Sequence, residues 1–225
     1  MKPVIKHPWN LSEMEAIILQ QELASKVIKE DSFVEINCVA GVDVAYSDHN
    51  NKLIAAIVIL DASSLKVIES VVVEDTVDFP YIPGLFSFRE LPPVVKAFDQ
   101  LKISPQLIVC DGQGLAHPRR FGLASHLGVI FDVPTIGCGK TKLLGTYEEP
   151  DFNRGAYSTL DDNGEVIGAA LRTQNNIKPL FVSIGHRISL QTACKWVIDL
   201  SPNYRLPETT RQSDHLVRNL LNAKQ

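Results

Sequence analysis

Long apolar runs are absent from this sequence of 225 residues. None approaches the ~20 residues that a membrane-spanning helix needs, which argues against a membrane protein. The N-terminal stretch MKPVIKHPW also lacks the apolar core of a secretory signal peptide. We therefore expect a soluble protein of the cytoplasm.

Cysteine is scarce, with four residues in the whole chain. Their spacing is not that of a metal site, and three of them fall in or beside predicted strands or a helix. We predict reduced core residues, which favours a cytosolic compartment. The four are Cys38, Cys110, Cys138 and Cys194.

Complete nucleotide-binding motifs are missing too. Lys140 follows a glycine as in a P-loop, but Pro134 stands where that motif needs its first glycine. Gly112 and Gly114 resemble a dinucleotide-binding fingerprint, whose last glycine is replaced by His117. Both patterns are incomplete, which argues against a nucleotide cofactor.

An excess of positive charge is also missing, since the formal net charge is −4. This speaks mildly against a nucleic-acid partner, because such proteins usually carry a basic footprint. The chain is long enough to bury a substantial core, and we predict one domain over residues 1–225. Basic residues nevertheless gather at Arg119-Arg120, Lys140 with Lys142, His186-Arg187 and residues 205–211.

Periodicity and turn residues predict a helix and three strands in the first third of the chain. Ser12 and Glu15 form a capping-box pattern that opens a helix to about Glu30. Strands at about 39–46, 53–60 and 66–77, joined by short turns, predict an antiparallel meander. The first of these turns covers residues 49–52. The apolar stripe of the helix would be Ile17, Ile18, Leu23, Val27 and Ile28.

Helices and strands alternate in the rest of the chain. A helix follows Glu90, with Pro92 and Pro93 in its first turn. Another begins at Phe121 and is interrupted by Gly122 and Gly128. Further strands are predicted at 107–110, 133–138, 156–160, 166–173 and 180–184, and further helices at 189–200 and 207–223.

Two aspartates stand out in these strands. Alternation places Asp43 between Gly41 and Ala45 on one face of a valine-rich strand. A charge there costs several kcal/mol unless it is paired or metal-bound, so a buried salt bridge is the alternative. Asp111 ends a buried strand, where open α/β sheets place their chemistry, although an Asp-Gly turn is the simpler explanation.

Two more carboxylates come from helices. Glu90 lies at a predicted helix start, where a role in capping is the alternative. Asp214 and His215 are neighbours on the last helix, and only one can point to the sheet. The helical period places Asp214 on the flank of the buried stripe and His215 towards solvent. That stripe is Leu216, Val217, Leu220 and Leu221.

Carboxylates from four different elements, with basic loops nearby, suit hard divalent cations and a phosphodiester substrate. Mg²⁺ takes oxygen ligands, and two such ions can activate a water and stabilise the leaving oxygen. Residues 79–85 hold two prolines, a glycine and Tyr81, which suits a rigid wedge between bases. A plain loop with a packed tyrosine is the alternative, as a solvated lysine is for Lys140.

The order of elements, three antiparallel strands, a helix and then strand-helix-strand, is that of a ribonuclease H-like α/β fold. This is a mixed sheet, an antiparallel three-strand meander plus parallel strands, flanked by helices. From about residue 35 to 215 the sequence resembles the endonuclease V family, and the motifs are specific in combination. The matching stretches are residues 41–46, 80–85, 88–90, 111–114, 117–120 and 122–126, Lys140 and residues 207–211.

The resemblance implies an endonuclease of DNA repair that recognises deaminated adenine, hypoxanthine, and cuts the second phosphodiester bond 3′ to it. The ends would be 5′-phosphate and 3′-hydroxyl. It implies Mg²⁺ as cofactor, with Mn²⁺ as a substitute, and deoxyinosine-containing DNA as partner; several members also cut inosine-containing RNA. We expect a monomer.

The resemblance also implies roles for particular residues. The catalytic and metal-binding carboxylates would be Asp43, Glu90, Asp111 and Asp214, with Lys140 facing the scissile phosphate. The substrate-binding residues would be Tyr81 as the wedge, backbone around Leu85, Gly112 and Gly122, and His117 with Arg119. One departure is Gly-Cys-Gly-Lys-Thr at residues 137–141 in place of the commoner Gly-Val-Ala-Lys-Ser, which predicts a looser loop around Lys140.

Two other functions compete with this hypothesis. Another ribonuclease H-like nuclease, such as a junction resolver, would share the carboxylates but need neither the wedge nor a base pocket. A non-catalytic nucleic-acid-binding module would not retain four carboxylates that repel phosphate. The sequence does not distinguish DNA from RNA as the main substrate.

Overall fold

The computed structural model describes residues 1–46 and 52–222, which contain eight strands and five helices. The predicted turn at residues 49–52 falls mostly outside the described residues. The strands are β1 Cys38–Tyr46, β2 Lys52–Asp61, β3 Val67–Thr76, β4 Leu107–Cys110, β5 Thr135–Gly139, β6 Tyr157–Asp162, β7 Glu165–Leu171 and β8 Leu180–His186. The helices are α1 Glu13–Ala24, α2 Phe86–Gln100, α3 Leu123–Phe131, α4 Leu190–Asp199 and α5 Glu208–Asn222.

All eight strands form one mixed sheet in the order β3-β2-β1-β4-β5-β8-β7-β6. The first three strands are the predicted antiparallel meander. β1, β4 and β5 run parallel to one another, and β8, β7 and β6 add an antiparallel extension. The predicted α/β mixed sheet flanked by helices is confirmed.

Two hydrophobic cores cover the two faces of the sheet. On one face α2 and α3 pack against alternate residues of the central strands, among them Val42 and Ile108. On the other face α4 packs against the intervening residues, among them Val39 and Val109. Alternation along each strand therefore decides which helix layer a side chain meets.

The N-terminal helix differs from its prediction in length and in its buried face. Its capping box is present, since Ser12 accepts from the Glu15 amide and Glu15 bonds back to the Ser12 amide. The helix ends at Ala24 rather than near Glu30, and Ile18 is exposed. Its buried residues are Ala16, Gln20 and Leu23.

The second helix begins earlier than predicted. It starts at Phe86, so Pro92 and Pro93 lie in its second turn and Glu90 is inside the helix, not at its start. A capping role for Glu90 is therefore wrong. Proline has no N–H to give to the residue four positions back, but the helix continues because its apolar face is buried on the sheet.

Other local expectations have mixed outcomes. The third helix is not interrupted by glycines: Gly122 is its N-cap residue and Gly128 lies within it. The four cysteines are free, and all but Cys38 are buried, as predicted. Across the described helices, none combines the length and the apolar character that a bilayer-spanning segment requires.

Candidate active site

The register of two parallel strands places Asp43 and Asp111 side by side. Val42 of β1 is paired with Cys110 of β4; Asp43 is the next residue of β1, and Asp111 is the first residue after β4. Val42 points to the α2 and α3 layer, so Asp43 points to the opposite face of the sheet. The Asp43 carboxylate accepts a hydrogen bond of 2.9 Å from the Val44 amide.

The last helix passes over the same face. A Cβ at Gly41 would collide with the backbone of Thr209, so only glycine allows α5 to lie this close to β1. Five residues further along α5 is Asp214, about 7.5 Å along the helix axis. Two residues along β1 from Gly41 cover roughly the same distance and reach Asp43. The contact at Gly41 thus brings Asp214 to the level of the two strand carboxylates.

The helical phase of α5 agrees with the prediction. His215 is exposed to solvent, whereas Asp214 is half-buried. The buried face near the start of α5 is polar, with Thr209, Thr210 and Ser213, and Val217 continues it. The predicted stripe of four aliphatic residues is therefore only partly right, since Leu216, Leu220 and Leu221 are not fully buried.

Glu90 reaches the site from the other side of the sheet. It lies on α2, and its Oε1 accepts a hydrogen bond of 2.9 Å from the Tyr46 hydroxyl at the end of β1. Burial raises the pKa of Glu90 to about 7; the Tyr46 bond opposes this shift, and the charges of Asp43 and Asp111 add to it. The four predicted carboxylates therefore converge from both faces on one end of β1 and β4.

Negative charge is concentrated around Asp43. Burial raises the pKa of this carboxyl to about 6, helped by the neighbouring charge of Asp111. Lys140 is the last of the influences on this pKa, and its ammonium pairs with Asp111 and Asp214, so a salt bridge to Lys140 does not account for Asp43. Such crowding of carboxylates is costly and is typical of functional sites.

Lys140 neutralises part of this charge. Its Nζ lies 2.5 Å from Asp111 Oδ2 and 4.0 Å from Asp214 Oδ1. Burial lowers the pKa of Lys140 and is the largest single influence, but the bond with Asp111 and the charges of Asp111, Asp214 and Asp43 together outweigh it and the pKa is raised. Lys140 is therefore not simply a solvated lysine.

The loop that carries Lys140 is held more firmly than its glycines suggest. Gly137 and Gly139 belong to β5 and are buried. Arg205 donates to the Lys140 carbonyl at 2.8 Å, and Gln113 donates to the Thr141 carbonyl at 3.3 Å. The expectation of a looser loop stays a prediction, and the packing of β5 against the Gly112–Gly114 turn is an observation against it.

The carboxylates suit a hard divalent cation by their chemistry. Carboxylate oxygens are the ligands that Mg²⁺ prefers, and a cation would offset both the burial that raises the pKa values of Asp43 and Glu90 and the repulsion that adds to it. Within residues 1–46 and 52–222, however, no three Asp, Glu, His or Cys side chains already form a group close enough to hold a metal ion. The Lys140 ammonium occupies the space beside Asp111 where positive charge is needed.

A cavity of 370 Å³ adjoins the carboxylates. This volume lies within the range of about 300–1,000 Å³ that is typical of small-molecule sites. Glu90 and Asp111 are among its lining residues, as are the contacting rings of Tyr81 and Phe86. The remaining lining residues are Pro83, Gly84, Ser87, Gly112, Gln113, His117, Phe121, Gly122, Leu123 and Leu143.

Most of the predicted substrate-binding residues line this cavity. Tyr81 is 64% exposed and stands edge-on to Phe86, with 4.8 Å between ring centroids. It is not a packed loop tyrosine. His117 is buried, and burial together with the Arg119 charge lowers its pKa to about 4, so its ring is neutral at physiological pH.

Two predicted residues do not line the cavity. The Leu85 side chain is buried with Phe79 and Phe88, and only its neighbours Gly84 and Phe86 reach the cavity. The Arg119 guanidinium lies behind the wall, where it bonds to the Gly84 carbonyl at 2.8 Å and to Gln20.

Three polar residues of the site were not predicted. Gln20 donates to the carbonyl of Phe121, a lining residue of the cavity. Tyr46 donates to Glu90. Gln113 donates to the Thr141 carbonyl in the Lys140 loop. Gln20 had a signal in the sequence, since it interrupts the buried face of α1 at helical spacing from Ala16 and Leu23. Tyr46 and Gln113 lie in two of the stretches that carry the family resemblance, 41–46 and 111–114, but their partners are distant in sequence and no role was assigned to them.

Comparison with known proteins identifies relatives over nearly the whole chain. The family model described as Endonuclease V matches residues 21–215. Endonuclease V of Roseiflexus sp. (strain RS-1) is 50% identical over 209 residues, which are 93% of each chain.

Solved structures of endonuclease V proteins are also similar to this chain. The crystal structure of endonuclease V from Streptomyces avermitilis has a TM-score of 0.92 at 47% identity, covering 98% of this chain and 97% of that one. Ciona intestinalis endonuclease V, solved in complex with a 24mer DNA containing an inosine followed by a ribo-adenosine, has a TM-score of 0.82 at 28% identity. That match covers 94% of this chain and 98% of the other.

Proposed function

The chain belongs to the endonuclease V family of nucleases, and from this premise we propose that it recognises hypoxanthine in DNA and hydrolyses the second phosphodiester bond 3′ to it. The observation that carries the proposal is the cavity that opens directly beside Glu90 and Asp111. A base held in the cavity would keep its own strand next to the carboxylates. We assign the products 5′-phosphate and 3′-hydroxyl ends and the role of initiating DNA repair.

Asp43, Asp111, Glu90 and Asp214 are the residues that would hold the metal, for which we propose Mg²⁺, with Mn²⁺ as a substitute. When bound, the metal supplies an activated water and charge stabilisation at the phosphodiester. Lys140 lies between Asp111 and Asp214, and its ammonium is suited to neutralise the scissile phosphate. Glu90 is held in position by the Tyr46 hydroxyl.

The base would reach the cavity only after leaving the helical stack. Hypoxanthine offers a carbonyl oxygen where adenine has an exocyclic amine, so donors in the wall can discriminate between them. Backbone around Gly112 and Gly122, with the neutral His117 ring, supplies polar groups beside the aromatic and aliphatic residues of the lining. Tyr81, at the exposed rim, is placed to fill the vacated stack.

The proposal extends to the setting in which the protein works. Inosine-containing RNA is a second substrate, since a flipped base presents the same edge in both nucleic acids. We propose one domain over residues 1–225, a monomer, and a cytoplasmic location, for which the free cysteines are a supporting observation.

A nicking assay tests the function. Labelled duplexes with a single deoxyinosine, or with none, are incubated with Mg²⁺, Mn²⁺ or EDTA, and the nick is mapped. We expect a nick one nucleotide beyond the inosine, in the presence of either metal. Equal cutting of both duplexes would instead indicate a ribonuclease H-like nuclease without base specificity. Binding without cutting would indicate a non-catalytic module.

Replacing Tyr81 by Ala is expected to weaken nicking of inosine in duplex DNA by about 10- to 100-fold, because base–aromatic stacking is worth roughly 1–3 kcal/mol. The loss on single-stranded substrate should be smaller, since no complementary stack has to be filled. The measurement is kcat/KM on the two substrates. Tyr157→Ala, at an exposed tyrosine of edge strand β6, is the matched control. Equal losses on both substrates would count against a wedge.

A further inference from the structure

Gln20 is the most deeply buried polar residue of α1, with 1% of its surface exposed. It stands on the helix face that packs onto the protein, between Ala16 and Leu23. Burying an amide without partners costs roughly 1–3 kcal/mol, whereas an aliphatic residue would cost nothing there. The position therefore calls for an explanation beyond packing of α1.

The Gln20 amide joins three groups, two backbone carbonyls and one side chain, from two separate parts of the chain. Its Nε2 donates to the Gly84 carbonyl at 2.9 Å and to the Phe121 carbonyl at 2.8 Å. Its Oε1 accepts a hydrogen bond from Arg119 Nε. Both amide hydrogens are thus used.

The two carbonyls belong to two separate stretches of the chain that both line the cavity. Gly84 follows the Tyr81 segment, and Phe121 precedes Gly122; all four residues line the cavity. Gln20 itself does not line it. Because one nitrogen donates to both carbonyl oxygens, the Gln20 amide holds the two stretches next to each other.

The Gly84 position shows how little freedom this arrangement has. Its φ is +81°, a conformation that favours glycine, and an added Cβ would lie 2.6 Å from Arg119 Nη2. Arg119 is the second donor to the Gly84 carbonyl, at 2.8 Å, and is itself oriented by Gln20. Loss of Gln20 would remove its hydrogen bonds to the Phe121 and Gly84 carbonyls. It would also remove the bond that orients Arg119, the other donor to Gly84.

We propose that Gln20 is a positioning residue that holds two stretches of the base-cavity lining together and thereby sets the preference for hypoxanthine over adenine. The inference rests on the proposed function of the cavity. Gln20 lies just before residues 21–215, the part matched by the family model. It acts through Gly84, Phe121 and Arg119 and does not touch the base.

The test compares Gln20→Leu with Gln20→Glu. Leucine removes all three hydrogen bonds, and glutamate keeps the acceptor for Arg119 but cannot donate to the carbonyls. We expect both variants to raise KM for inosine duplex about 10-fold and to lower the ratio of kcat/KM for inosine over adenine similarly, as for a lost pair of buried hydrogen bonds. The Mg²⁺ concentration for half-maximal rate should not change.

Three controls separate positioning from general damage. Gln21→Leu alters the exposed neighbour on the same helix and should behave as wild type. Gln20→Met fills the same space with a flexible side chain and replaces the leucine variant if that one does not fold. Melting temperatures of all variants show whether a change in KM merely follows instability.

The possible failures are distinguishable. Wild-type protein without any preference for inosine would remove the proposed function and this inference together. Wild-type preference that persists in full in folded Gln20→Leu or Gln20→Met would overturn this inference alone. A Gln20→Glu variant with wild-type KM and preference would also overturn it, because the carbonyl bonds would then be dispensable.

Discussion

Asp43→Asn is expected to reduce nicking of inosine-containing DNA by more than about 10³-fold, the scale of losing a group that acts only in the transition state. The same change is expected to raise the stability of the metal-free protein. Asp43 lies in a valine-rich strand beside Asp111, and its charge is unfavourable there without a cation. Asparagine keeps the shape and the hydrogen bond from the Val44 amide while removing the charge.

The gain in stability should depend on pH in a definite direction. The pKa of Asp43 is raised from 3.8 to about 6 on folding. The folded state therefore binds the proton more tightly, and wild-type stability falls as the pH rises from about 4 to about 6. Above that window the penalty is complete, and Asp43→Asn should be more stable by about 1–3 kcal/mol.

Chemical denaturation of metal-free protein at pH 4, 5, 6 and 7.5 measures this difference. Asp99→Asn, at an exposed carboxylate on α2, is the control for removing a charge without relieving burial. Equal stability of wild type and Asp43→Asn at every pH would show that the Asp43 charge does not destabilise the folded state. Activity that falls only in proportion to a loss of stability would make Asp43 structural.

Asp111→Asn should abolish nicking to the same extent without the gain in stability. Its carboxylate holds the Lys140 ammonium at 2.5 Å, and Asp214 is farther from that ammonium, at 4.0 Å. Removing Asp111 leaves a partly buried cation with a weaker partner, which offsets the relief of repulsion at Asp43. Both variants should lose activity, but only Asp43→Asn should gain stability. Comparing them therefore separates the loss of metal binding from the relief of charge repulsion.

Asp214→Asn is the second change with a large expected effect, a loss of Mg²⁺-dependent nicking of more than about 10²-fold. His215→Ala should remain within about 3-fold of wild type. The reason is the phase of α5, which turns Asp214 to the site and His215 to solvent. A carboxylate is also the better ligand for Mg²⁺, since imidazole suits softer metals.

Titration of Mg²⁺ against the nicking rate of each variant measures this effect. Asp214 also pairs with Arg218 at 2.9 Å, an i,i+4 ion pair on the helix surface. Such a pair contributes only about 0.3–0.5 kcal/mol, so Arg218→Ala should leave activity nearly unchanged and serves as the control. A greater loss in His215→Ala than in Asp214→Asn would contradict the assignment of the ligand.

The sequence by itself determined most of the local structure and singled out the residues that we propose as the reacting groups. Alternation in β1 placed Asp43 on the face opposite Val42, and periodicity in α5 separated Asp214 from His215, because each pattern reports the buried side of its own element. The start of α2 was misplaced, since two prolines ordinarily mark a first turn, whereas here burial on the sheet maintains the helix around them.

Only the tertiary structure decided which elements meet. Three contacts of the site join residues between about 30 and 170 positions apart in the sequence. They are the pairing of Lys140 with Asp111, the passage of α5 over Gly41 and the hydrogen bonds of Gln20 to two stretches of the cavity lining. Such contacts follow from the packing free energy summed over whole sheet faces and helices. No short stretch of sequence contributes enough to this sum for the contact to be predicted from that stretch alone. Candidate reacting residues could therefore be proposed one by one from the sequence. The cavity and the residues that support it could be identified only from the tertiary structure.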